Sequence, residues 1–193
     1  MKIALPAAVL SLAAGSVLAA PVTYQVDPAH TYPSFEADHF GGLSVWRGKF
    51  DSSSGTIVID RDAGTGTVNI TVDTGSVDFG HAKLNEHVKS PEMFDVQKYP
   101  TATYKGRLAN FRNGAPTEVQ GELTLHGVTK PLNLKINSFM CKTTPTPVGN
   151  KERCGADASA TLSRADYGID YGTKLGFNME VKLSIQVEAT PAG

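Results

Sequence analysis

The sequence has little charge and little cysteine, and these shortages exclude several classes of protein. Only 19% of its 193 residues are charged, 40% are apolar, and the formal net charge is −1. Disordered chains normally have more charge and fewer apolar residues, so one packed domain is expected. The 18 Lys and Arg residues are spread singly among 19 Asp and Glu residues. A nucleic-acid-binding protein, which needs a basic stripe for phosphates, is therefore not expected.

Long hydrophobic runs are also scarce, because only one is present and it lies at the start. Lys2 precedes an apolar, small-residue run from Ile3 to Leu18, which is the pattern of a secretory signal peptide. We predict that residues 1–19 are this signal peptide and that 20–193 form one exported domain, periplasmic or secreted. The run is short for a membrane span, but an uncleaved anchor stays an alternative.

The two cysteines, Cys141 and Cys154, flank a polar, turn-rich segment that we interpret as a loop. Their spacing matches neither a redox pair with two intervening residues nor a zinc ribbon. In an oxidising compartment, we predict a structural disulfide between them. Such a bridge contributes about 3 kcal/mol by restricting the unfolded chain.

Apolar and polar residues alternate along much of the remaining sequence. The clearest run extends from Phe177 to Ala189 and predicts a strand of about thirteen residues with one dry face. Similar or less regular runs bring the number of predicted strands to roughly eight. Besides the run that ends at Ala189, they lie at 22–26, 34–40, 43–59, 68–72, 102–111, 119–125, 132–136 and 156–162. Turn residues separate them, including the segment from Gly127 to Pro131.

One segment departs from this alternation. Between Gly80 and Ser90, apolar residues recur at three- and four-residue steps, which predicts a short helix across one end, with Asp78 helping to cap its start. The predicted fold class is therefore all-β, an antiparallel sandwich or closed barrel with one short helix. Gly121, Ala156, Ala158 and Ala160 are small residues on the predicted inner face and slightly favour a hollow interior. A filled core stays open as the alternative.

Chemical motifs are scarce as well. The five histidines lack metal-binding spacing, and they are interpreted as hydrogen-bonded residues at the ends of elements. The sequence has no nucleophile elbow and no glycine-rich phosphate loop. We therefore predict no catalytic residue, no metal and no cofactor, and a site assembled from distant segments stays open as the alternative.

Several local strings, in order along almost the whole predicted domain, resemble those of the YceI-like polyisoprenoid-binding family. This resemblance implies an extended lipocalin-like antiparallel barrel of about eight strands, with a lengthwise apolar tunnel for the chain of an isoprenoid lipid or quinone. Met93 and Lys89 depart from the family's usual Phe and Arg, which affects the expected ligand more than the fold. The strings are Asp27-Pro28-Ala29-His30, Trp46-Arg47-Gly48-Lys49-Phe50, His87-Val88-Lys89-Ser90, Phe94-Asp95-Val96-Gln97-Lys98-Tyr99-Pro100, Gly121 to Pro131 and Arg164-Ala165-Asp166-Tyr167-Gly168.

The candidate ligand-contacting residues are aromatic residues of these strings and inward positions of the alternating strands. The aromatic residues either line the tunnel or plug its ends. Arg47 and Arg164 either bind a lipid head group through the guanidinium fork or form salt bridges near the barrel rim. The candidate set is Phe35, Phe40, Trp46, Phe94, Tyr104, Leu123, Leu134, Leu162, Met179, Val181, Leu183 and Ile185.

These patterns predict an exported, non-enzymatic binding or carrier protein for an isoprenoid lipid or quinone. No catalytic group is needed, because burying each methylene of a long prenyl chain contributes roughly 0.8 kcal/mol. Two alternatives stay open: a hydrolase or other enzyme acting on a lipid-like substrate, and a stress-related interaction module with a filled core. A homodimer is left open as the oligomeric state.

Overall fold

The computed structural model describes residues 20–147 and 149–192, so the predicted signal peptide lies outside the described residues. Twelve strands and one α-helix, α1 (Ala82–Lys89), make up most of this part of the chain. The strands are β1 (Val22–Val26), β2 (Tyr32–His39), β3 (Ser44–Phe50), β4 (Ser53–Asp60), β5 (Thr65–Asp73), β6 (Val77–Asp78), β7 (Thr101–Ala109), β8 (Glu118–Leu125), β9 (Val128–Pro131), β10 (Leu134–Thr146), β11 (Gly149–Ser163) and β12 (Glu180–Pro191). Within these residues, no helix is both long and apolar enough to cross a bilayer.

Eight of the strands close into a ring. They are hydrogen-bonded in the order β1-β4-β5-β7-β8-β10-β11-β12, and β12 pairs with β1 to complete the circle. Neighbouring strands are antiparallel throughout. Closure leaves these strands few unpaired main-chain N–H and C=O groups. Such unpaired edges would otherwise pair with other chains and cause aggregation. The predicted all-β barrel of about eight strands with one short helix is confirmed.

The sheet divides at β12. The last residues of β12, Ala189 to Pro191, pair with β1, whereas Val181 to Gln186 pair with β2. The sheet then continues from β2 to β3 and β6. At the end of the barrel formed by β2, β3 and β6, α1 packs beside β6. Its Val88 belongs to a buried cluster with Phe35, Val77 and Val181.

The alternation that predicted the last strand is confirmed over most of its length. Val181, Leu183, Ile185, Val187 and Ala189 all line the interior of the barrel. However, β12 begins at Glu180 rather than at Phe177. Residues 177–179 belong to the connection that precedes it, where the Met179 carbonyl accepts a hydrogen bond from the Arg164 N–H.

Three predictions differ from the structure, two in the position of a turn and one in the residue that caps the helix. The run from Leu43 to Ile59 is two strands, β3 and β4, separated by Asp51 and Ser52. The segment from Gly127 to Pro131 is mostly strand β9, because the turn needs only His126 and Gly127, which both have positive φ. The helix is capped by His81, whose Nδ1 accepts from the Leu84 N–H at 3.2 Å, and not by Asp78.

The polar segment between the cysteines is not a loop. It forms the outer part of a long hairpin in which β10 and β11 stay paired to Thr146 and Gly149. Cys141 and Cys154 are direct cross-strand neighbours, with 4.0 Å between their Cα atoms, and the predicted disulfide joins them. Polar composition suggested a loop, but a hairpin that extends away from the core has water on both faces and needs no apolar alternation.

Candidate ligand-binding cavity

The interior of the barrel contains a cavity of about 470 Å³. This volume lies within the range of small-molecule binding sites, which is about 300–1,000 Å³. The inward side chains of every strand in the ring contribute to its wall, and they are mostly aliphatic or aromatic. The interior is therefore hollow, which decides between the two readings that the sequence left open.

All but one of the predicted ligand-contacting residues lie in the wall. They are Phe35, Phe40, Trp46, Phe94, Tyr104, Leu123, Leu134, Leu162, Val181, Leu183 and Ile185. Met179 lies outside the wall, in the connection before β12, where its sulfur accepts a hydrogen bond from the Thr173 hydroxyl at 3.4 Å. Contact with a ligand stays a prediction for the residues in the wall.

The wall also contains residues that were not singled out from the sequence. Several belong to the alternating strands β5, β7, β8 and β10, and period-two counting would have found them: Val68, Ile70, Leu108, Val119 and Ile136. Ile169, Tyr171 and Leu175 come from the irregular connection between β11 and β12. No periodicity marks such a connection, so only the folded chain brings these side chains to the cavity.

Aromatic rings fill the space between the cavity and α1. Phe35 lies 5.5 Å from Phe50 and 5.4 Å from Phe79, and Phe50 lies 5.6 Å from Phe94, measured between ring centroids. These tilted or edge-on contacts are the geometry that aromatic pairs prefer. They make this side of the wall a packed aromatic layer.

A second aromatic group surrounds the cavity where the β2–β3 turn meets the connection before β12. The His39 ring lies 4.5 Å from Phe40, 5.8 Å from Trp46 and 5.3 Å from Phe177. Phe40 is 50% exposed, so this group reaches the protein surface. We call this region, together with nearby Tyr171 and Leu175, the aromatic rim.

Of the three tyrosines in the wall, Tyr24 and Tyr104 have hydroxyl groups that are hydrogen-bonded to other protein groups. The Tyr104 hydroxyl donates to the Leu132 carbonyl at 2.8 Å, and burial raises the pKa of this phenol. The Tyr24 hydroxyl donates to Glu152 at 3.1 Å and accepts from Arg61 at 2.9 Å. Burial also raises the Tyr24 pKa. Both phenols stay protonated at neutral pH and hold the wall together.

The two arginines have different environments. Arg47 is exposed and pairs with Glu36 across the outer face of β2 and β3, with 2.7 Å between Nε and Oε1. Arg164 is only 8% exposed and lines the cavity. Its Nη1 donates to the Ile169 carbonyl at 2.9 Å and its Nη2 to the Tyr171 carbonyl at 2.7 Å. Burial lowers the pKa of this guanidinium, although nearby Asp170 and Asp38 oppose that effect.

Among the described residues, one group places several metal-ligand types close together. Cys141, Glu152 and Cys154 have ligand atoms within 4.8 Å of one another. Both sulfurs belong to the disulfide, so neither is the thiolate that a metal would bind. The five histidines contact different groups. His30 contacts Asp27, His39 contacts the Phe177 ring, and His81 accepts from the Leu84 N–H. His87 contacts the Tyr171 ring, and His126 contacts the Tyr167 carbonyl.

An antiparallel barrel that is closed around an apolar cavity defines a class of small-molecule-binding fold, the lipocalin-like barrels. Residues 24–189 match the YceI-like domain family. The chain belongs to this family.

Relatives and solved structures agree with this assignment. The chain is 34% identical to a UPF0312 protein of Pectobacterium atrosepticum over 188 residues, covering 96% of this chain and 94% of that protein. It is 33% identical to the protein YceI of Escherichia coli over 181 residues, or 93% of this chain and 91% of that one. BcnA of Burkholderia cenocepacia has the same fold, with a TM-score of 0.64, 19% identity, and coverage of 84% of this chain and 98% of that one. A polyisoprenoid-binding domain from Saccharophagus degradans has a TM-score of 0.63 and 18% identity, covering 89% of this chain and 99% of that one.

Proposed function

We propose that this protein is a non-enzymatic carrier or binding protein that holds an isoprenoid lipid or prenylated quinone inside its barrel. The observation that carries this proposal is the cavity of about 470 Å³, with aliphatic and aromatic side chains from every strand of the ring in its wall. Each buried methylene contributes roughly 0.8 kcal/mol, so a long prenyl chain binds without any catalytic group. The fold neighbour described as a polyisoprenoid-binding domain supports this class of ligand.

The two alternatives fit the site less well. A filled-core interaction module has no use for an apolar hollow of this volume, since empty space in a core forfeits packing energy. An enzyme acting on a lipid-like substrate needs an acid, a base or a nucleophile that can reach the bound chain. The hydroxyls of Tyr24 and Tyr104 are instead hydrogen-bonded to other protein groups.

We further propose that the protein acts outside the cytoplasm, in the periplasm or as a secreted protein. The Cys141–Cys154 disulfide supports an oxidising compartment. The signal-like start of the sequence supports the same location. A homodimer stays a prediction, which sedimentation velocity on the purified protein would check.

Lipid extraction tests the proposed function directly. Protein recovered from the exported fraction is extracted with organic solvent, and the released lipid is identified by mass spectrometry. We expect an isoprenoid lipid or quinone in a stoichiometric amount. Repeated preparations without any such lipid, together with no uptake of added prenyl quinone, would contradict the proposal.

A matched pair of variants then locates the lipid. Ala158 lies in the cavity wall, whereas Thr161 on the same strand is exposed on the outside. Ala158→Phe fills the cavity and is expected to lower the amount of bound lipid at least about tenfold. Thr161→Phe adds the same ring outside the barrel and should leave the bound lipid unchanged.

A further inference from the structure

The polar groups of the cavity wall are not equivalent, because one of them is a charged group without a charged partner. Ion pairs of the described residues engage Arg47, Arg61 and Arg153, but none of them includes Arg164. Arg164 is nonetheless the most deeply buried of these arginines and lies in the cavity wall. A buried cation normally has an anionic partner, because leaving it unpaired costs several kcal/mol, roughly.

The hydrogen bonds of Arg164 leave several N–H donors of its guanidinium without an acceptor in the described part of the chain. Nη1 and Nη2 each donate to one main-chain carbonyl, those of Ile169 and Tyr171. A guanidinium carries five N–H donors in a planar fork, so these two bonds do not use its capacity. Both acceptors are neutral main-chain carbonyls, so neither hydrogen bond supplies a negative charge to the cation.

The nearest acidic groups are engaged elsewhere or act only through space. Asp38 also lines the cavity, but its carboxylate accepts from the main-chain N–H groups of Gly41, Gly42 and Asn178 at 2.6 to 2.8 Å. These bonds lower the pKa of Asp38 and hold its carboxylate at the end of β2. Asp170 is exposed and influences Arg164 only electrostatically.

The position of Arg164 makes the two ends of the cavity different, because the charged group lies at one end only. It follows the last residue of β11, beside Leu162 and near the aromatic rim, where the Tyr171 ring lies 4.7 Å from the His87 ring. Cys154, also in the wall, lies ten residues before Arg164 along β11, which is roughly 33 Å of chain at about 3.3 Å per residue. Between these positions, the strand contributes Ala156 and Ala158 to the wall.

We propose that Arg164 is the head-group site of the cavity: it binds an oxygen acceptor of the ligand, either a phosphate or a quinone carbonyl. The apolar tail then extends along β11 towards Cys154. This inference rests on the proposed function and adds the orientation of the ligand and the chemistry of its head group. Guanidinium binds both kinds of oxygen, and a phosphate uses two of its donors at once.

Three probes with the same tail test this inference on delipidated protein. They are geranylgeranyl phosphate, a quinone with a geranylgeranyl tail, and the hydrocarbon with that tail and no head group. We expect at least one head-bearing probe to bind the unmodified protein about tenfold more tightly than the hydrocarbon. The probe that gains more, phosphate or quinone, assigns the head group.

The Arg164→Met variant should bind the three probes with similar affinities and should keep the affinity for the hydrocarbon. Arg47→Met is the matched control, because Arg47 is exposed and paired with Glu36, and it should keep the preference for a head group. Equal affinities of the unmodified protein for all three probes would overturn the inference and leave the carrier function standing. Failure of all three to bind would instead overturn the carrier function.

A second measurement does not depend on the stability of the variant, which also loses the bonds to Ile169 and Tyr171. The Arg164 Nε–H resonance of ¹⁵N-labelled, unmodified protein is followed during titration with each probe. Both head-bearing probes are tested, and at least one should shift this resonance much further than the hydrocarbon does. A resonance that responds equally to all three probes would contradict a contact between Arg164 and the head group.

Discussion

At the scale of single residues, Gly121 packs closely against Tyr104 of the cavity wall. The sequence suggested that Gly121 leaves room in the middle of the barrel, but the Tyr104 phenol occupies that room. A Cβ atom on Gly121 would lie 2.5 Å from the Lys105 carbonyl oxygen and 2.7 Å from the Tyr104 hydroxyl oxygen. Both distances are below van der Waals contact, so any side chain here displaces the main chain.

We therefore expect Gly121→Ala to lower the free energy of unfolding by about 1–3 kcal/mol. Gly155→Ala is the control, because a Cβ atom there would lie 3.7 Å from its nearest neighbour, an ordinary contact. That control should change stability by about 1 kcal/mol or less. Urea denaturation of both variants measures the difference, and equal stabilities would contradict the packing argument.

Tyr104 gives a second prediction, about pH. Burial raises its folded-state pKa above the ordinary value of about 10, so the unfolded chain loses this proton first as pH rises. The stabilisation is fully present below about pH 10 and is lost as pH rises towards the folded-state pKa. Tyr104→Phe should lower stability at neutral pH by about 1–3 kcal/mol, because the Leu132 carbonyl loses its donor.

The same variant should also lose stability less steeply than the unmodified protein between about pH 10 and about pH 11. Denaturation series at several alkaline pH values measure both slopes. Tyr24 and Tyr167 also have raised pKa values, so some slope should remain in the variant. Identical slopes in the two proteins would exclude Tyr104 as a contributor.

At the scale of elements, the disulfide joins β10 and β11 thirteen residues apart in sequence, where their hairpin leaves the barrel. Replacing both cysteines by alanine should lower the free energy of unfolding by about 3 kcal/mol. A reducing agent should destabilise the unmodified protein by a similar amount and leave the double variant unchanged. If reduction destabilised both proteins equally, the effect would not come from this bridge.

Elements with a clear alternation of apolar and polar residues were predicted well, and elements without it were not. β12 was predicted almost to its ends, since its inner side chains all face one cavity and its outer ones face water. The hairpin between the cysteines was missed, because strands with water on both faces have no alternation. The turn at His126 and Gly127 was overestimated in length, because two residues with positive φ suffice to reverse the chain.

At the scale of the whole molecule, the cavity couples ligand binding to stability. A ligand that binds only the folded protein stabilises it by about 2.7 kcal/mol at a free concentration of about one hundred times its Kd. For a protein of this size, such stabilisation raises Tm by roughly 5–10 °C. We expect lipid-loaded protein to unfold above delipidated protein in differential scanning calorimetry, and the Ala158→Phe variant to lose this response. A response retained in full by that variant would place the lipid outside the cavity.

The sequence by itself determined that the chain forms antiparallel strands with one apolar face, that they surround an interior, and that its two cysteines pair. These properties depend on period-two patterning and on the number and spacing of the cysteines, which are local or compositional. Only the tertiary structure decided that the interior is hollow, because a void depends on how side chains from opposite strands meet. It also decided that Arg164 lies in the cavity wall while Arg47 lies outside. The side of the sheet on which a side chain emerges after an irregular connection depends on the path of the folded backbone, and residue order alone does not encode it.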